Sequence, residues 1–336
     1  MKSALILALN PSIDAEWRVD DVIWEEKNNV QSERRWAGGK GINVARWLKR
    51  IGGSPELLLP LGGETGGELA GYLRAEEITS RIIPLNEATR VNVIVTTRLG
   101  RQMRFNPPGP ELSNPQWNAV LMTVKKKLVR MSQVKGRVHG VSSPTSLLVL
   151  SGSLPRGVPV KAYADLIRLA RKHGVKTLLD CDGAAFREAI QARPFLVKPN
   201  EHELACWWKM PLRNEKEIVR AARALSEAPR GWVFVSRGAD ASILLNVKED
   251  FQASEKPAAV KPRNTVGAGD ALLAGAAWRI QLGATPRDWL ACGLAVGTYA
   301  TECLAGQVNR EGASAGRDFK NRRFRAQNPR RRRNDL

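Results

Sequence analysis

The sequence predicts an α/β protein with a mostly parallel central sheet, helices on both of its faces, and a small separate β-sheet. Three observations carry that prediction. Strand-length apolar runs alternate with helix-period segments along most of the chain, the order that βαβ units produce. The length, 336 residues, suits one large α/β domain with an insertion, or about two domains. Two stretches, 12–36 and 88–108, break the rhythm: "DAEWRVDDVIWEE" and "RVNVIVTTRLGRQMRFN" are extended and alternating, with no helix inside either. Antiparallel strands in a second sheet, lying as a lid over the mouth of the main domain, account for them.

In chain order, "ALILAL" (4–9) reads as a first buried strand. "GINVARWLKRIG" (41–52) is a helix, "ELLLPLG" a strand, "GELAGYLRAEEI" a helix and "RIIPL" a strand. "WNAVLMTVKKKLVRM" (117–131) is helical, and "QVKGRVHGVSSPTS" (133–146) is a polar surface loop. "SLLVLSGSLP" (146–155) is a strand running into a glycine-containing loop, and "VKAYADLIRLARKHG" is a helix that ends at Gly174. Strands follow at "KTLLDCDG" and "PFLVKPN", then helices at "EHELACWWK" and "EIVRAARALSE". "GWVFVSRG" and "ASILLN" are strands, and helices return from 269 onward. The chain shows no internal repeat.

Composition narrows the class. Hydrophobic residues make up 43%, ample for a core, and no apolar run nears the ~18 residues that cross a bilayer. The opening apolar run stops at Asn10-Pro11 without a cleavage site, so it is a strand and not a signal peptide. Cys181, Cys206, Cys292 and Cys303 form no CxxC pair, and buried free thiols in the reducing cytoplasm are expected. His139, His173 and His202 are scattered, and nothing resembles a zinc site. The net charge is +20. Residues 317–336 hold nine Lys/Arg against Asp318 and Asp335, so the rest of the chain is itself strongly basic. The tail has little to bury and is expected to be a disordered, solvated extension rather than a nucleic-acid arm. The basic body suits an enzyme that gathers anionic substrates.

Common nucleotide signatures are missing: "GGKGIN" is no P-loop, and neither "GAGDAL" nor "GGETGG" completes GxGxxG. No GxSxG elbow is present. "NTVGAGDALLAG" (264–275) instead sets Gly267, Ala268 and Gly269 before Asp270 at a helix start, with Asn264 and Thr265 as candidate caps. Free N–H groups there bind an anion. A carboxylate beside that hole is useful if it takes a proton from a hydroxyl attacking phosphorus. An acid favourable to the helix dipole explains the motif equally well by itself. In "WAGGKGINVARWLKRIGG" (36–53), Gly38 and Gly39 allow close backbone approach and Asn43 presents an amide, though Gly-Gly is also ordinary in a turn. Asp14 in "NPSID" stands just past the first strand, where parallel sheets bind ligands.

Together, "NPSID", "GGKGINVAR" and "NTVGAGDALLAG" resemble the PfkB-type branch of the ribokinase-like sugar kinases, in order and over residues 1–316. The resemblance implies a Rossmann-type three-layer domain with a β-sheet lid and ATP-dependent phosphorylation of a sugar, with magnesium. It implies Asp270 as base, Gly267, Ala268 and Gly269 as anion hole, and Asp14, Gly39 and Asn43 as sugar ligands. "KPNEHEL" carries Asn200 and Glu203, which in the family act on magnesium and phosphate through waters; the pair is also a capping box. Lys198 would lie near the nucleotide phosphates, Ser236 and Gly238 would support ATP, Asp180 and "SGSLP" (151–155) would line the cleft, and Asn309 would border the adenine.

A substrate that already carries a phosphate needs a cationic pocket. Arg90, Arg104, Lys27 and Lys40 are the candidates for it, with Asn92 beside them. Asn264 and the stretches "TRVNV" and "NPPGPELS" are similar to the 1-phosphofructokinase subgroup, which implies conversion of fructose 1-phosphate to fructose 1,6-bisphosphate. Tagatose-6-phosphate kinases and PfkB-type 6-phosphofructokinases share nearly all of these residues. By the same analogy a homodimer through lid strands is expected.

Overall fold

The computed structural model describes residues 4–133 and 145–306. The segment 134–144, the tail 317–336 and Asn309 lie outside the described residues.

The chain opens with β1 (Ala4–Leu7), β2 (Ser12–Val19), β3 (Ser32–Gly38), α1 (Lys40–Arg50) and β4 (Pro55–Gly62). It continues with α2 (Gly63–Ala75), β5 (Thr79–Leu85), β6 (Arg90–Thr97), β7 (Gln102–Phe105) and α3 (Asn114–Gln133). From residue 145 onward come β8 (Leu147–Ser151), α4 (Ala162–Lys172), β9 (Lys176–Asp180), α5 (Gly183–Gln191), β10 (Leu196–Val197), α6 (Glu201–Trp208) and α7 (Glu215–Glu227). The last elements are β11 (Trp232–Val235), β12 (Ser242–Asn246), β13 (Phe251–Glu255), α8 (Ala268–Gln281) and α9 (Pro286–Glu302).

Nine strands form the main sheet in the order β13-β12-β11-β10-β9-β8-β1-β4-β5. From β5 to β11 neighbours run parallel; β12 and β13 close the edge antiparallel. Every residue of β1 and β8 is buried, because both faces are covered. Ala4 and Ile6 join the core under α1, α2, α8 and α9, while Leu5 and Leu7 join the one under α3, α4, α5 and α7. The alternation of strand side chains thus divides the interior into two cores, as the three-layer expectation requires.

The second sheet has the order β3-β2-β6-β7 and occupies the two stretches set apart above. One expectation is corrected: its central pair, β2 and β6, is parallel, and only the outer pairs are antiparallel. The cause is topological. β2 leaves the carboxyl end of β1, and β6 leaves that of β5. Those two strands are parallel in the main sheet, so their continuations point the same way. Two elements escaped the pattern reading: α5, a short helix between two strands, and β13, a half-exposed edge strand. The free cysteines Cys181, Cys292 and Cys303 are buried as expected, but Cys206 is exposed, because it stands on an outer turn of α6.

Candidate active site

The carboxyl ends of the parallel strands, the lid sheet and the start of α8 enclose a cleft of about 1100 Å³. This volume exceeds that of a typical single-ligand pocket. Its lining includes Asp14, Gly39, Lys40, Asn43, Arg90, Asn92 and Arg104 toward the lid. Lys198, Asn200, Glu203, Ser236 and Gly238 line it too, and Gly267, Ala268, Gly269 and Asp270 form one wall.

Asp270 is on the first turn of α8 and 7% exposed. Gly267 caps that helix at φ +79°, a left-handed conformation that glycine adopts without strain. No side chain caps the helix; Ala268 N makes only a long 3.4 Å bond to the Thr265 carbonyl, and Gly267, Ala268 and Gly269 all line the cleft. Neither expected cap, Asn264 nor Thr265, caps the helix with its side chain; Asn264 Oδ1 instead accepts from Val266 N at 3.0 Å and shapes the preceding turn. Asn43 Nδ2 donates to Asp270 Oδ2 at 2.9 Å. Asn43 is fixed in turn by Arg46, whose Nη1 donates to its Oδ1 at 2.9 Å. Arg46 also grips the Glu76 carboxylate at 2.6 and 2.8 Å and the Ala37 carbonyl at 2.7 Å. This chain behind the site was not found from sequence, where Arg46 looks like any basic residue on a helix.

Charge around Asp270 is arranged in pairs. Asp180, 1% exposed, receives Lys40 Nζ at 3.0 Å on one oxygen and Lys198 Nζ at 3.3 Å on the other. Lys40 also reaches Glu203 at 3.1 Å. Lys40 lines the cleft and is paired there with the acids Asp180 and Glu203. Burial alone would depress its ammonium, but Asp180, Glu203 and Asp270 outweigh burial and hold it well above its usual range. Burial raises Asp180, yet Lys198 and Lys40 prevail and keep it ionised, below the usual carboxylate range. Asp270 is pushed up to about 7, first by burial and then by the Asp180 charge, against the Asn43 hydrogen bond and the two lysines. Lys198 Nζ hangs over Gly269, 3.4 Å from where a Cβ would stand, so an anion at the glycines would meet a buried ammonium.

Asn200 and Glu203 form the capping box of α6: Glu203 N donates to Asn200 Oδ1 at 2.8 Å, and Asn200 N to Glu203 Oε2 at 2.9 Å. Glu203 keeps its other oxygen on Lys40, so the capping box leaves one carboxylate oxygen directed to the cleft lysine.

At the lid end, the parallel register sets Asp14 opposite Asn92. Asp14 Oδ1 accepts from Ser12 Oγ at 2.8 Å and Asn92 Nδ2 at 2.9 Å. Burial raises its pKa, partly offset by those two hydrogen bonds and by Arg46 and Arg90. Gly38 is behind Asp14 and does not line the cleft; a Cβ there would overlap the Asp14 carboxyl group. Its part is to leave room for that side chain. Arg90 donates to the carbonyls of Asn10 and Pro107, both at 2.9 Å, and its Nε has no partner though buried. Arg104 is exposed and holds Gln102 at 3.0 Å. Lys27 does not line the cleft: it is exposed in the loop between β2 and β3, at the far end of β2 from Ser12, roughly 23 Å along an extended strand.

The profile of pfkB family carbohydrate kinases matches residues 8–311. The chain belongs to this family. It is 34% identical over 270 residues to a 1-phosphofructokinase of Rhodobacter capsulatus, covering 80% of this chain and 81% of that one. It is 30% identical over 298 residues to the ATP-dependent 6-phosphofructokinase isozyme 2 of Escherichia coli, covering 88% and 91%. The structure of Escherichia coli phosphofructokinase-2 in complex with substrates and products superposes with a TM-score of 0.82 at 26% identity, over 94% of this chain and 98% of that one. The fold and class expected from the motifs, an ATP-dependent sugar kinase of ribokinase-like architecture, therefore hold. Among the described residues no helix is long and apolar enough to cross a membrane.

A kinase that depends on ionised Asp270 carries a pH signature. With its pKa near 7, kcat/KM is expected to rise about tenfold per pH unit below 7 and to level off above it. The contribution of Asp270 to stability runs the other way: the folded state favours its neutral acid, so that contribution is lost as the pH rises from about 4 to about 7. A pH–rate profile flat across pH 7 would contradict the expectation that Asp270 serves as the base.

Proposed function

We propose that the protein transfers the γ-phosphoryl group of ATP to a hydroxyl of a hexose phosphate, with fructose 1-phosphate as the acceptor and its 6-hydroxyl as the attacking group. The observation that carries this reading is the position of Asp270, a buried carboxylate with raised pKa at an uncapped glycine-rich helix start, between the two ends of one cleft.

The acceptor's hydroxyls meet Asp14, Asn92 and the Gly39 backbone. The attacking hydroxyl approaches Asp270, which Asn43 holds by its other side. The new bond forms from that oxygen to the γ-phosphorus, the bond to the β-γ bridging oxygen breaks, ADP leaves, and the hydroxyl proton passes to Asp270. The N–H groups of Gly267, Ala268 and Gly269, with Lys198 above them, take up the charge on the equatorial oxygens. The nucleotide extends past Asn200 toward Ser236 and Gly238. The two arginines of the lid end, Arg90 and Arg104, face the acceptor's own phosphate. Arg90 must exchange its carbonyl partners for it; its unpartnered Nε supports that reading.

A magnesium ion, when bound with the nucleotide, would neutralise charge on its phosphates. No group of three or more His/Cys/Asp/Glu suited to a metal ion occurs among the described residues, and Lys40 and Lys198 already hold Asp180. The donor set thus fits a metal that keeps its waters, with Glu203 and Asp182 at the cleft as outer partners.

The test is ADP release with Mg-ATP across fructose 1-phosphate, fructose 6-phosphate, tagatose 6-phosphate, fructose and ribose. A clear preference for fructose 1-phosphate is expected. Preference for a 6-phosphate would keep the mechanism and reassign the acceptor. Turnover of unphosphorylated sugars alone would show Arg90 and Arg104 to be ordinary lid charges.

A further inference from the structure

The carboxyl ends of β9, β10 and β11 build the cleft. Their amino ends meet in a second concavity, of about 500 Å³, on the opposite face. Five cations line it: Arg171 from the last turn of α4, Lys176 at the start of β9, Arg193 after α5, Arg230 after α7 and Lys248 after β12. The acid in the lining is Glu249, on an exposed turn. Among the described residues none of the five lies within ion-pair distance of a carboxylate.

Arg171, Arg193, Arg230 and Lys248 are exposed, and the features that single the cluster out are the setting of Lys176 and the turns that carry the arginines. Lys176 is half-buried, with its ammonium 4.3 Å above the Phe195 ring, and burial pushes it below the ordinary lysine range with no acid to restore it. A half-buried cation held only against an aromatic face gains from an anion that joins it. The three turns that enter these strands each pass through a left-handed residue: Gly174 at φ +66°, Arg193 at +63° and Arg230 at +52°. Glycine is the unstrained choice, yet two of the three are arginine, and both arginines line the concavity. Helix-end carbonyls favour a cation at Arg171, but they do not account for Lys176 or Lys248, which flank strands.

We propose that this concavity binds a small anion carrying two or more phosphoryl groups, at a site distinct from the catalytic cleft. Five cations against one acid exceed what a single phosphate needs, and the volume matches a small-molecule site. The two sites lie at opposite ends of the same strands: β9 runs from Lys176 here to Asp180 in the cleft, roughly 13 Å. The chemistry is shared by nucleoside polyphosphates, sugar bisphosphates and pyrophosphate.

Calorimetric titration of the full chain with pyrophosphate, ATP and fructose 1,6-bisphosphate tests it. At least one of the three is expected to bind with a second equivalent per chain beyond the cleft. The double variant Arg193→Gly/Arg230→Gly removes two cations and relieves two left-handed arginines, so it melts no lower than the parent. It is expected to bind the second equivalent at least roughly tenfold more weakly, with kcat and KM in phosphate-free buffer unchanged. Lys176→Met keeps the buried alkyl stem and should weaken the same equivalent. Which ligand gives the second equivalent identifies the source of the phosphates. A single equivalent for all three ligands, or a second equivalent indifferent to both variants, overturns the proposal. Neither result bears on the kinase assignment.

Discussion

Asp270→Asn is expected to lower kcat by about 10²–10⁴-fold with little change in the KM for either substrate. Asparagine is nearly the same size and can still pair with the Asn43 side chain, now through its carbonyl. The first turn of α8 keeps its shape, since Gly267 rather than residue 270 sets the cap. The amide cannot accept a proton from the attacking hydroxyl, so the loss falls on the chemical step. Losing the charge also removes repulsion from Asp180, the second cause of the raised pKa, so binding of anionic substrate should hold or improve. Initial rates over a range of both substrates, with calorimetry for binding, separate the two effects. A kcat near the parent value would eliminate Asp270 as the base.

The second large effect is expected at a residue that touches no substrate. Gly38→Ala would place a methyl group inside the volume of the Asp14 carboxyl group. Gly38 is in β3, paired across to Ser12 in β2, and neither strand can retreat without breaking the sheet. Asp14 must therefore turn away, giving up its hydrogen bonds from Ser12 and Asn92. A hydrogen bond involving a charged group is worth about 1.5–3 kcal/mol, so the KM for the sugar acceptor should rise roughly 10–100-fold. The KM for ATP should change little, because Asp14 is at the lid end. An unaltered acceptor KM in the folded variant would show that Asp14 does not hold the sugar.

Much of the fold was legible because it follows from local patterns. The βα alternation and the buried apolar runs predicted the main sheet and most helices. The two extended stretches predicted the second sheet. The glycine run before Asp270 and the Asn200–Glu203 spacing define helix starts within a few residues, and both form where the sequence sets them. α5 and β13 were not legible: α5 is a brief helix between two strands, and β13 is exposed on its outer edge, so neither shows a clear period.

The sequence alone determined which groups could do the chemistry and the order of the elements that carry them. It did not determine what those groups touch. Lys40 stands in the sequence only as a cation after two glycines; the structure pairs it with Asp180 and Glu203, 140 and 163 residues away. Asn43 reaches Asp270 across 227 residues, and Gly38 is needed only because the pairing of β2 with β3 sets it against Asp14. The direction of β6 beside β2, and hence the meeting of Asn92 with Asp14, depends on both strands leaving the carboxyl ends of parallel strands of the main sheet. A side chain's type is written in the chain, but its electrostatic partners, and so its pKa, arise only when distant strands are brought to within hydrogen-bond distance.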